Sequence, residues 1–399
     1  MFIELHIIQS LPPSNPNRGQ DGGPKSLNYG GSLRSRLSSQ SQKRAAREWY
    51  SKNSRLPREQ LAQRSRRWDT TLAPLLTYLP EADRSIAARL VLALFNTSAD
   101  KLLKAALEPS GNLMFLTAHE VSTIAAITEQ HQALLTDLVQ RVRDVERLVA
   151  DGKTEKSYDS HPSKRELSAL VKALGQVSAA VPGDVALFGR MMAQLTEASV
   201  DGCVQVADAI SVNAITRSKT RDGWKAGEID FFSAMDDIAP GEDDREGAGM
   251  IGETTFTSPV YYRYANVCLS ELIRLVGDDA LAQQFAAAFL RGFAVALPSG
   301  MVASHAHMTR PEFILIQATT SQPYQHAPAF LNPINQAEAD DRSISQQAVT
   351  ALLNRVSEMA QVYGDTPIYQ GCVGLSDHAP AGMAVSLDDA IQAALGSVA

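Results

Sequence analysis

The stretch GGSLRSRLSSQSQKRAAR, residues 30–47, begins with a glycine pair, continues with two arginines at strand spacing and ends in a predicted helix start. Two glycines open it, and because glycine reaches positive φ without steric cost, a partner can approach the backbone closely there. Arg34 and Arg36 follow at strand spacing, so their side chains leave one face of the chain. Ser39 and Gln42 have the S-x-x-Q spacing of a capping box, which predicts that a helix begins there.

The predicted helix carries a cluster of cations. Lys43 and Arg47 stand four positions apart and share one helix face, with Arg44 beside them. Together with the glycines, the serine-rich turn and the N–H groups of a helix N-terminus, these side chains suit several phosphates at once. The alternative interpretation is a solvated basic helix after a flexible loop, which is what charge runs usually are.

Residues 30–47 resemble the signature of the CasC family, the repeated backbone subunit of Cascade, the type I-E CRISPR surveillance complex. Later blocks of the chain agree with that family in order: DVALFGRM (184–191), VDGCVQVADAIS (200–211), EIDFFSAMDD (228–237) and TTFTSPVYYRYANV (254–267). The resemblance covers nearly the whole chain. It is weakest over 54–180 and near the end of the sequence.

The order of predicted elements indicates an α+β fold, because strands flank a long helical stretch and later alternate with helices. Residues 2–8 alternate between apolar and polar, which predicts a half-buried strand, and 184–192 also predicts a strand. The resemblance implies an RRM-like (ferredoxin-like) palm with an all-helical insertion domain and a β-hairpin thumb. The predicted parts are 1–53, the first part of the palm; 54–180, the helical finger insertion; and 181–399, the second part of the palm, with the thumb hairpin at about 212–256.

Charge is distributed unevenly along the chain. The whole sequence has a formal net charge of −7, which by itself would disfavour a nucleic-acid partner. Residues 1–67, however, hold 13 Lys and Arg against 4 Asp and Glu. This asymmetry predicts a cationic patch on an otherwise acidic protein.

The cysteines and the apolar runs bear on the compartment. Cys203, Cys268 and Cys372 are far apart and form no C-x-x-C pair, which favours a reducing cytosol. The start, MFIELHII, has no basic region or cleavage site typical of a signal peptide. No apolar run reaches the length that a membrane helix requires. We therefore expect a soluble, cytoplasmic protein without a membrane partner.

No motif for metal, nucleotide or nucleophilic chemistry is present. His305 and His307 in SHAH have no carboxylate or cysteine near them in sequence, so we expect no metal site and no cofactor. Asp21 in the first loop carries an enzymatic alternative, because related type III backbone subunits cut target RNA with a palm-loop aspartate. A loop aspartate is commonly a turn former, and the family that this chain resembles recruits a separate nuclease-helicase instead. A third alternative is an assembly protein without direct RNA contact.

The resemblance assigns residues to a guide RNA. Nine polar and basic side chains would hold its backbone: Arg18, Lys25, Arg34, Arg36, Ser39, Gln40, Lys43, Arg44 and Arg47. Met191 matches a position beside a displaced base, and Phe231 and Phe232 match thumb aromatics near the same kink. Core packing is the alternative for all three of these side chains.

The function implied is a non-catalytic CRISPR RNA-binding backbone subunit. It would polymerise head to tail along the guide and present that RNA for pairing with target DNA in antiviral defence. The partners implied are the CRISPR guide RNA, target DNA through the guide, further copies of the chain, the other Cascade subunits and the recruited nuclease-helicase.

Overall fold

The computed structural model of the chain describes residues 1–108, 113–152, 160–177, 181–221, 223–234, 250–335, 341–375, 377–378 and 386–398. Among these residues, no helix is both long enough and apolar enough to cross a membrane. The chain divides into two compact units. Unit 1 comprises Met1–Ser54, Val204–Ser270 and Ala286–Ala399, and unit 2 comprises Arg55–Cys203 and Glu271–Phe285.

The strands, in chain order, are β1 (Phe2–Ser10), β2 (Ser26–Tyr29), β3 (Ser32–Leu37), β4 (Gln63–Ser65), β5 (Met114–Leu116), β6 (Val204–Val206), β7 (Ala209–Ser211), β8 (Arg217–Thr220), β9 (Gly223–Ala226), β10 (Glu228–Ala234), β11 (Met250–Phe256), β12 (Val260–Cys268), β13 (Phe313–Thr319) and β14 (Tyr369–Gly374). The α-helices are α1 (Ser39–Asn53), α2 (Trp68–Leu72), α3 (Glu81–Leu94), α4 (Leu102–Ala105), α5 (Ala118–Glu129), α6 (Gln132–Ala150), α7 (Lys164–Gly175), α8 (Gly183–Phe188), α9 (Leu269–Val276), α10 (Asp279–Val295), α11 (Val302–His305), α12 (Ile344–Tyr363) and α13 (Leu387–Gly396).

Unit 1 is built on one antiparallel sheet in the order β14-β13-β1-β12-β7-β3-β2, with β6 also paired to β12. The central strand β1 pairs with β12 on one side and with β13 on the other. In chain order, β1, α1, β7, β12, α10 and β13 form a β-α-β-β-α-β unit whose strands lie in space as fourth, first, third and second. The α+β class is confirmed, and the strand order agrees with the predicted ferredoxin-like palm.

Both faces of the central strand β1 are covered. On one face, Ile7 lies beside Arg263, whose side chain bonds to carbonyls at the end of α10. On the other face, Ile8 belongs to an apolar cluster that includes Leu352 of α12. Glu4 and His6, on that second face, are buried as well. The half-buried strand predicted from alternation is therefore wrong, because a helix far along the sequence covers the polar face.

Unit 2 is mainly helical and has its own apolar core. Helices α3, α5, α6 and α7 supply most of its buried side chains, among them Leu90, Ile124, Leu138 and Leu170. The predicted insertion over 54–180 corresponds to most of this unit, which continues to Cys203 and also includes Glu271–Phe285.

The strand predicted over 184–192 is wrong, because Gly183–Phe188 form the helix α8. Pro182 precedes this helix, and its fixed φ suits that position. The Asp184 carboxylate accepts a hydrogen bond from the Ala62 amide at 3.0 Å, which holds the first turn. A short apolar run such as VALF does not distinguish a strand from a buried helix by its period.

The predicted thumb contains two strand pairs in series. β8 pairs with β9, and β10 pairs with β11, each antiparallel. The first pair, β8–β9, is a short hairpin that spans the ten residues 217–226. Residues 235–249, which join β10 to β11, lie outside the described residues.

Candidate nucleic-acid interface

The glycine pair forms the turn between β2 and β3. Gly30 and Gly31 have φ of 58° and 77°, and Tyr29 pairs with Ser32 across them, so both central residues of the hairpin turn are left-handed. The predicted close approach is present, but the approaching group belongs to the chain itself. A Cβ on Gly30 would lie 1.7 Å from the carbonyl oxygen of Leu331.

Arg34 is a buried structural residue of unit 1. Its side chain is fully buried, and Nη1 donates to the carbonyls of Ser211 and Val212, both at 2.8 Å. Nη2 donates to the carbonyls of Phe330 and Leu331 at 2.9 and 3.2 Å. Burial lowers the pKa of this guanidinium. The side chain thus joins β3 to the end of β7 and to the segment that packs on the glycine turn.

Arg36 and Ser39 both contact Asp208, in the short connection between β6 and β7. The Arg36 Nε lies 2.7 Å from the Asp208 carboxylate, and both side chains are about one-third exposed. The Ser39 backbone amide donates to the other carboxylate oxygen at 2.7 Å. Asp208 therefore pairs with one predicted RNA-binding cation and accepts a hydrogen bond from one N–H of the helix N-terminus.

The helix α1 begins at Ser39 as predicted, but the predicted capping box is wrong. The N-cap residue is Ser38, and its side chain makes no capping hydrogen bond. The amide of Ser38 donates instead to Asn17 Oδ1 at 2.8 Å, which ties the helix start to the first loop. Gln42, the expected partner of the box, points into the protein.

Gln42 and Arg263 anchor the inner face of α1. Gln42 Nε2 donates to the carbonyls of Leu37 and Ala207, and its Oε1 accepts from Arg263 Nε at 3.2 Å. The buried Arg263 also donates to the carbonyl of Phe293 at 2.6 Å and to that of Ala296 at 3.1 Å, at the end of α10. A cation there complements the helix dipole. Burial lowers the pKa of Arg263 to about 9.

The buried anchors of α1 leave its cations on the outside. Gln42, Ala45, Ala46 and Tyr50 form the buried side of the helix. Gln40 and Arg44 are exposed, and Lys43 and Arg47 are partly exposed. The Arg44 Nε donates to Glu48 Oε1 at 2.6 Å, and the Arg44 side chain is 74% exposed. Most of the predicted stripe of α1 thus remains accessible.

The first loop, residues 11–25, is ordered by hydrogen bonds within the loop. The Gly19 amide donates to the Gly23 carbonyl at 2.8 Å, and Asn15 Nδ2 donates to the Gly22 carbonyl at 3.0 Å. Arg18 is exposed and Lys25 is partly exposed. Asn17 in this loop accepts a hydrogen bond from the Ser38 amide, so the loop that carries these two cations is attached to the start of α1.

Asp21 occupies a turn in the same loop. Its Oδ1 accepts a hydrogen bond from the Gly23 amide at 3.2 Å, which is the geometry of an Asx turn. Asp21 also lines an open cavity of ≈580 Å³ with Arg18, Lys225, Asp230, Glu253 and His305. Among the residues that the structure describes, no three His, Cys, Asp or Glu side chains are arranged to hold a metal ion. His307 is buried, and its Nε2 lies 2.9 Å from the Pro298 carbonyl.

Met191 belongs to unit 2 and is 85% exposed. Its neighbours hold it outward. The Arg190 guanidinium is buried and donates to Glu120 Oε1 at 2.7 Å, while Met192 lies in the core of the unit. Met191 is therefore not a core residue, and most of its side chain is exposed to solvent.

The two predicted thumb aromatics, Phe231 and Phe232, are neighbours in β10. Phe231 in β10 is 65% exposed, so core packing does not explain it. The side chain of Phe232 lies outside the described residues. Sequence reasoning did not assign Trp224 in β9, which is also 65% exposed. Its signal was present, because a tryptophan in a basic hairpin has no apolar neighbours to bury it.

Sequence reasoning also missed Arg263. The signal was an arginine inside the apolar strand segment VYYRYANV, because a charge in a buried strand needs several partners. Taken together, the structure places Arg18, Lys25, Gln40, Lys43, Arg44 and Arg47 on accessible parts of one unit. It places Arg34 inside that unit and pairs Arg36 with an aspartate. Such a surface can hold phosphates without reading bases.

Comparison with known proteins identifies relatives of the whole chain. The family described as CT1975-like protein matches residues 3–395. No curated protein sequence matches the chain. A solved structure described as "CRISPR RNA-guided surveillance complex, pre-nicking" contains a chain that is 29% identical, with a TM-score of 0.74 and 100% of each chain covered. A second, described as "CRISPR RNA-guided surveillance complex", is 24% identical with a TM-score of 0.66, again over both complete chains, and so supports the fold alone.

The 29% identical chain comes from a CRISPR surveillance complex, and the similarity extends over the whole of both chains. This supports the predicted relation to CRISPR surveillance complexes. The family match omits only a few residues at either end. This chain therefore belongs to the CT1975-like protein family.

Proposed function

We propose that the chain is the non-catalytic backbone subunit of a type I-E Cascade complex, as in the CasC family. It binds a CRISPR guide RNA along the sugar-phosphate backbone and polymerises head to tail on it. The guide, held extended, then pairs with target DNA. The other Cascade subunits and the recruited nuclease-helicase are its further partners, and the cytoplasm is its compartment.

The observation that carries this proposal is the outward cationic face of α1. Buried Gln42 and Arg263 fix the rotation of that helix, so the side that carries Gln40, Lys43, Arg44 and Arg47 faces away from the core, with Gln40 and Arg44 exposed and Lys43 and Arg47 partly exposed. Arg18 and Lys25 extend the surface through the ordered first loop. Similarity to a subunit of an RNA-guided complex supports RNA as the anion that this surface holds.

Three of the predicted RNA contacts receive different roles. We propose that Arg34 orders the palm and does not touch RNA, because the side chain is fully buried and both of its Nη atoms already bond to main-chain carbonyls. Arg36 contributes weakly, since a phosphate must compete with Asp208 for its guanidinium. Ser39 contributes through its side chain alone, because Asp208 occupies its amide.

Exposed Met191 and Phe231 suit contact with displaced bases. A flexible thioether can pack against any base and an aromatic ring can stack on any base, which agrees with binding that tolerates every sequence. Phe232 keeps its predicted role without structural support.

We propose that Asp21 does not cleave RNA. Its carboxylate holds an Asx turn, which gives it a structural function in this loop. Incubating the protein with end-labelled RNA and Mg²⁺ tests this, and Asp21→Asn is the matched variant. The proposal expects intact RNA with either protein. Cleavage by the wild type that Asp21→Asn abolishes would establish the nuclease alternative.

The experiment that tests backbone binding is a length series. RNAs of unrelated sequence and increasing length are mixed with the protein, and the mass of each complex is measured by mass photometry. Copies of the chain are expected to add in steps as the RNA lengthens, with affinities that agree among sequences within a few-fold. A complex that keeps one copy at every length, or that forms on one sequence alone, would contradict the proposal.

A further inference from the structure

A second cavity of unit 1 lies between the sheet and the C-terminal half of α12, with a volume of ≈390 Å³. The sheet contributes three polar residues, Glu4 of β1, Gln317 of β13 and Gln370 of β14. The α12 wall includes the apolar side chains of Val356 and Met359. The volume is that of a site for a small molecule. The described residues that line it include none of those proposed to bind RNA.

The cavity is acidic. Glu4 and Asp365 line it, and no lysine or arginine is among its described lining residues. His326 also lines it, and burial lowers the pKa of this histidine to about 4, so its ring is neutral. Arg355 of α12 is outside the lining and lies 4.0 Å from the Glu358 carboxylate. When both carboxyls are ionised, the lining therefore carries two negative charges without a positive one.

The Glu4 carboxylate is held through one of its two oxygens. Oε2 accepts from Tyr264 Oη at 2.7 Å and from the Tyr324 amide at 3.0 Å, and it lies 4.0 Å from His6 Nε2. Every hydrogen bond that this carboxylate makes to a described residue thus falls on Oε2, although Glu4 is only 5% exposed. A buried, fixed carboxylate with one oxygen left over indicates a position for a donor that the chain does not supply.

The pKa of Glu4 agrees with a missing cation. Burial raises that pKa to about 7, because the charged form loses its hydration. An ammonium on Oε1 would favour the charged form again.

The rest of the lining restricts the class of ligand. Val356, Met359 and Pro367 offer apolar contacts to methylene groups. An ammonium group suits each carboxylate, because it has three donors and no acceptor. A metal ion does not fit, since no three His, Cys, Asp or Glu side chains of the described chain are arranged to hold one. Two carboxylates beside an apolar wall call for an alkyl chain with an ammonium at each end.

We propose that this cavity binds a small aliphatic diamine. One ammonium contacts Glu4 Oε1, the other faces Asp365, and the methylene chain lies against α12. The site is separate from the proposed RNA surface, so the diamine binds to the chain without RNA.

The test is isothermal titration calorimetry on the RNA-free chain at pH 8, where the Glu4 carboxyl is mostly ionised. Diaminobutane is the probe, butylamine lacks its second ammonium, and butanediol lacks both. Glu4→Gln removes the buried charge, and Ala360→Phe fills the cavity from its α12 wall while both carboxylates stay. The matched control is Glu358→Gln, which neutralises an exposed carboxylate of α12 outside the lining.

The wild type is expected to bind diaminobutane at least about tenfold more tightly than butylamine, and butanediol is expected not to bind. Glu4→Gln and Ala360→Phe each weaken diaminobutane binding at least about tenfold, whereas Glu358→Gln keeps the wild-type affinity. Urea unfolding checks that each variant is folded, and if Glu4→Gln is not, Ala360→Phe decides.

The inference is overturned if the wild type does not bind diaminobutane at millimolar concentration, or if Ala360→Phe binds it as the wild type does. It is also overturned if Glu358→Gln weakens binding as much as the cavity variants do, because the diamine would then collect on the acidic surface in general. Equal affinities for diaminobutane and butylamine would contradict the role of the second carboxylate and with it the diamine.

Discussion

Replacing Arg34 tests whether its guanidinium stabilises the fold or binds RNA. Its guanidinium bonds to four carbonyls, but two of these keep other partners after its removal. The Val212 carbonyl also accepts from the Ile334 amide at 2.9 Å, and Leu331 is half exposed and open to water. The carbonyls of Ser211 and Phe330 are left without this donor in a buried site.

The magnitude follows from those two carbonyls. A buried acceptor that loses its donor costs about 1–3 kcal/mol, so Arg34→Met is expected to lower the free energy of unfolding by about 4 kcal/mol. Methionine keeps much of the side-chain volume and so limits the cavity term. The matched control is Arg44→Ala, which removes an exposed pair four residues apart and costs about 0.5 kcal/mol.

The assay combines urea unfolding with RNA titration under native conditions. Arg34→Met is expected to shift the unfolding midpoint strongly while the folded fraction binds RNA within threefold of the wild type. The reasoning is refuted if Arg34→Met changes stability by less than about 1 kcal/mol and weakens RNA binding tenfold or more. That result would place the guanidinium on RNA, as the sequence alone predicts.

Two further predictions concern stability. Glu4→Gln tests the buried carboxyl: because its pKa is raised from 4.5 to about 7, the folded wild type binds a proton that the unfolded chain releases, so its stability falls as pH rises through this window. The variant lacks this loss, so its free energy of unfolding relative to wild type is expected to rise by about 2.5 kcal/mol from pH 5 to pH 8, measured by urea unfolding; a constant difference would contradict the assignment. Gly30→Ala is expected to cost at least about 2 kcal/mol, since its Cβ meets the Leu331 carbonyl, whereas Gly31→Ala, with a similar φ and open space around it, costs about 1 kcal/mol; equal losses in urea unfolding would argue against the close contact.

Local patterns predicted the parts of the fold that local physics decides. The positive φ of the glycine pair was predicted, and the helix start near Ser39 was predicted within a residue. The accessible cations of α1 followed from helical spacing, because its apolar residues lie on the other side. These features depend on neighbours within one or two turns of the chain.

Features decided by distant partners were not predictable. Arg34 and Arg36 share a strand face, yet one is buried under the 330–331 segment and the other meets Asp208. The burial of Glu4 and His6 depends on α12, hundreds of residues away. The capping box failed for a similar reason, since Gln42 bonds to Ala207 and Arg263 across the sheet. A sequence pattern does not reveal which remote element takes up a side chain.

The central claim is that the outer face of α1 holds RNA phosphates, and the salt dependence of binding tests it most directly. The double variant Lys43→Ala, Arg47→Ala is compared with Lys52→Ala, a change on the same helix about 180° around the axis from Lys43. For single-stranded RNA, each lost phosphate contact reduces the slope of log K against log salt by about 0.7, so the double variant is expected to lose about 1.4 while Lys52→Ala keeps the wild-type slope. An unchanged slope in the double variant would contradict the account.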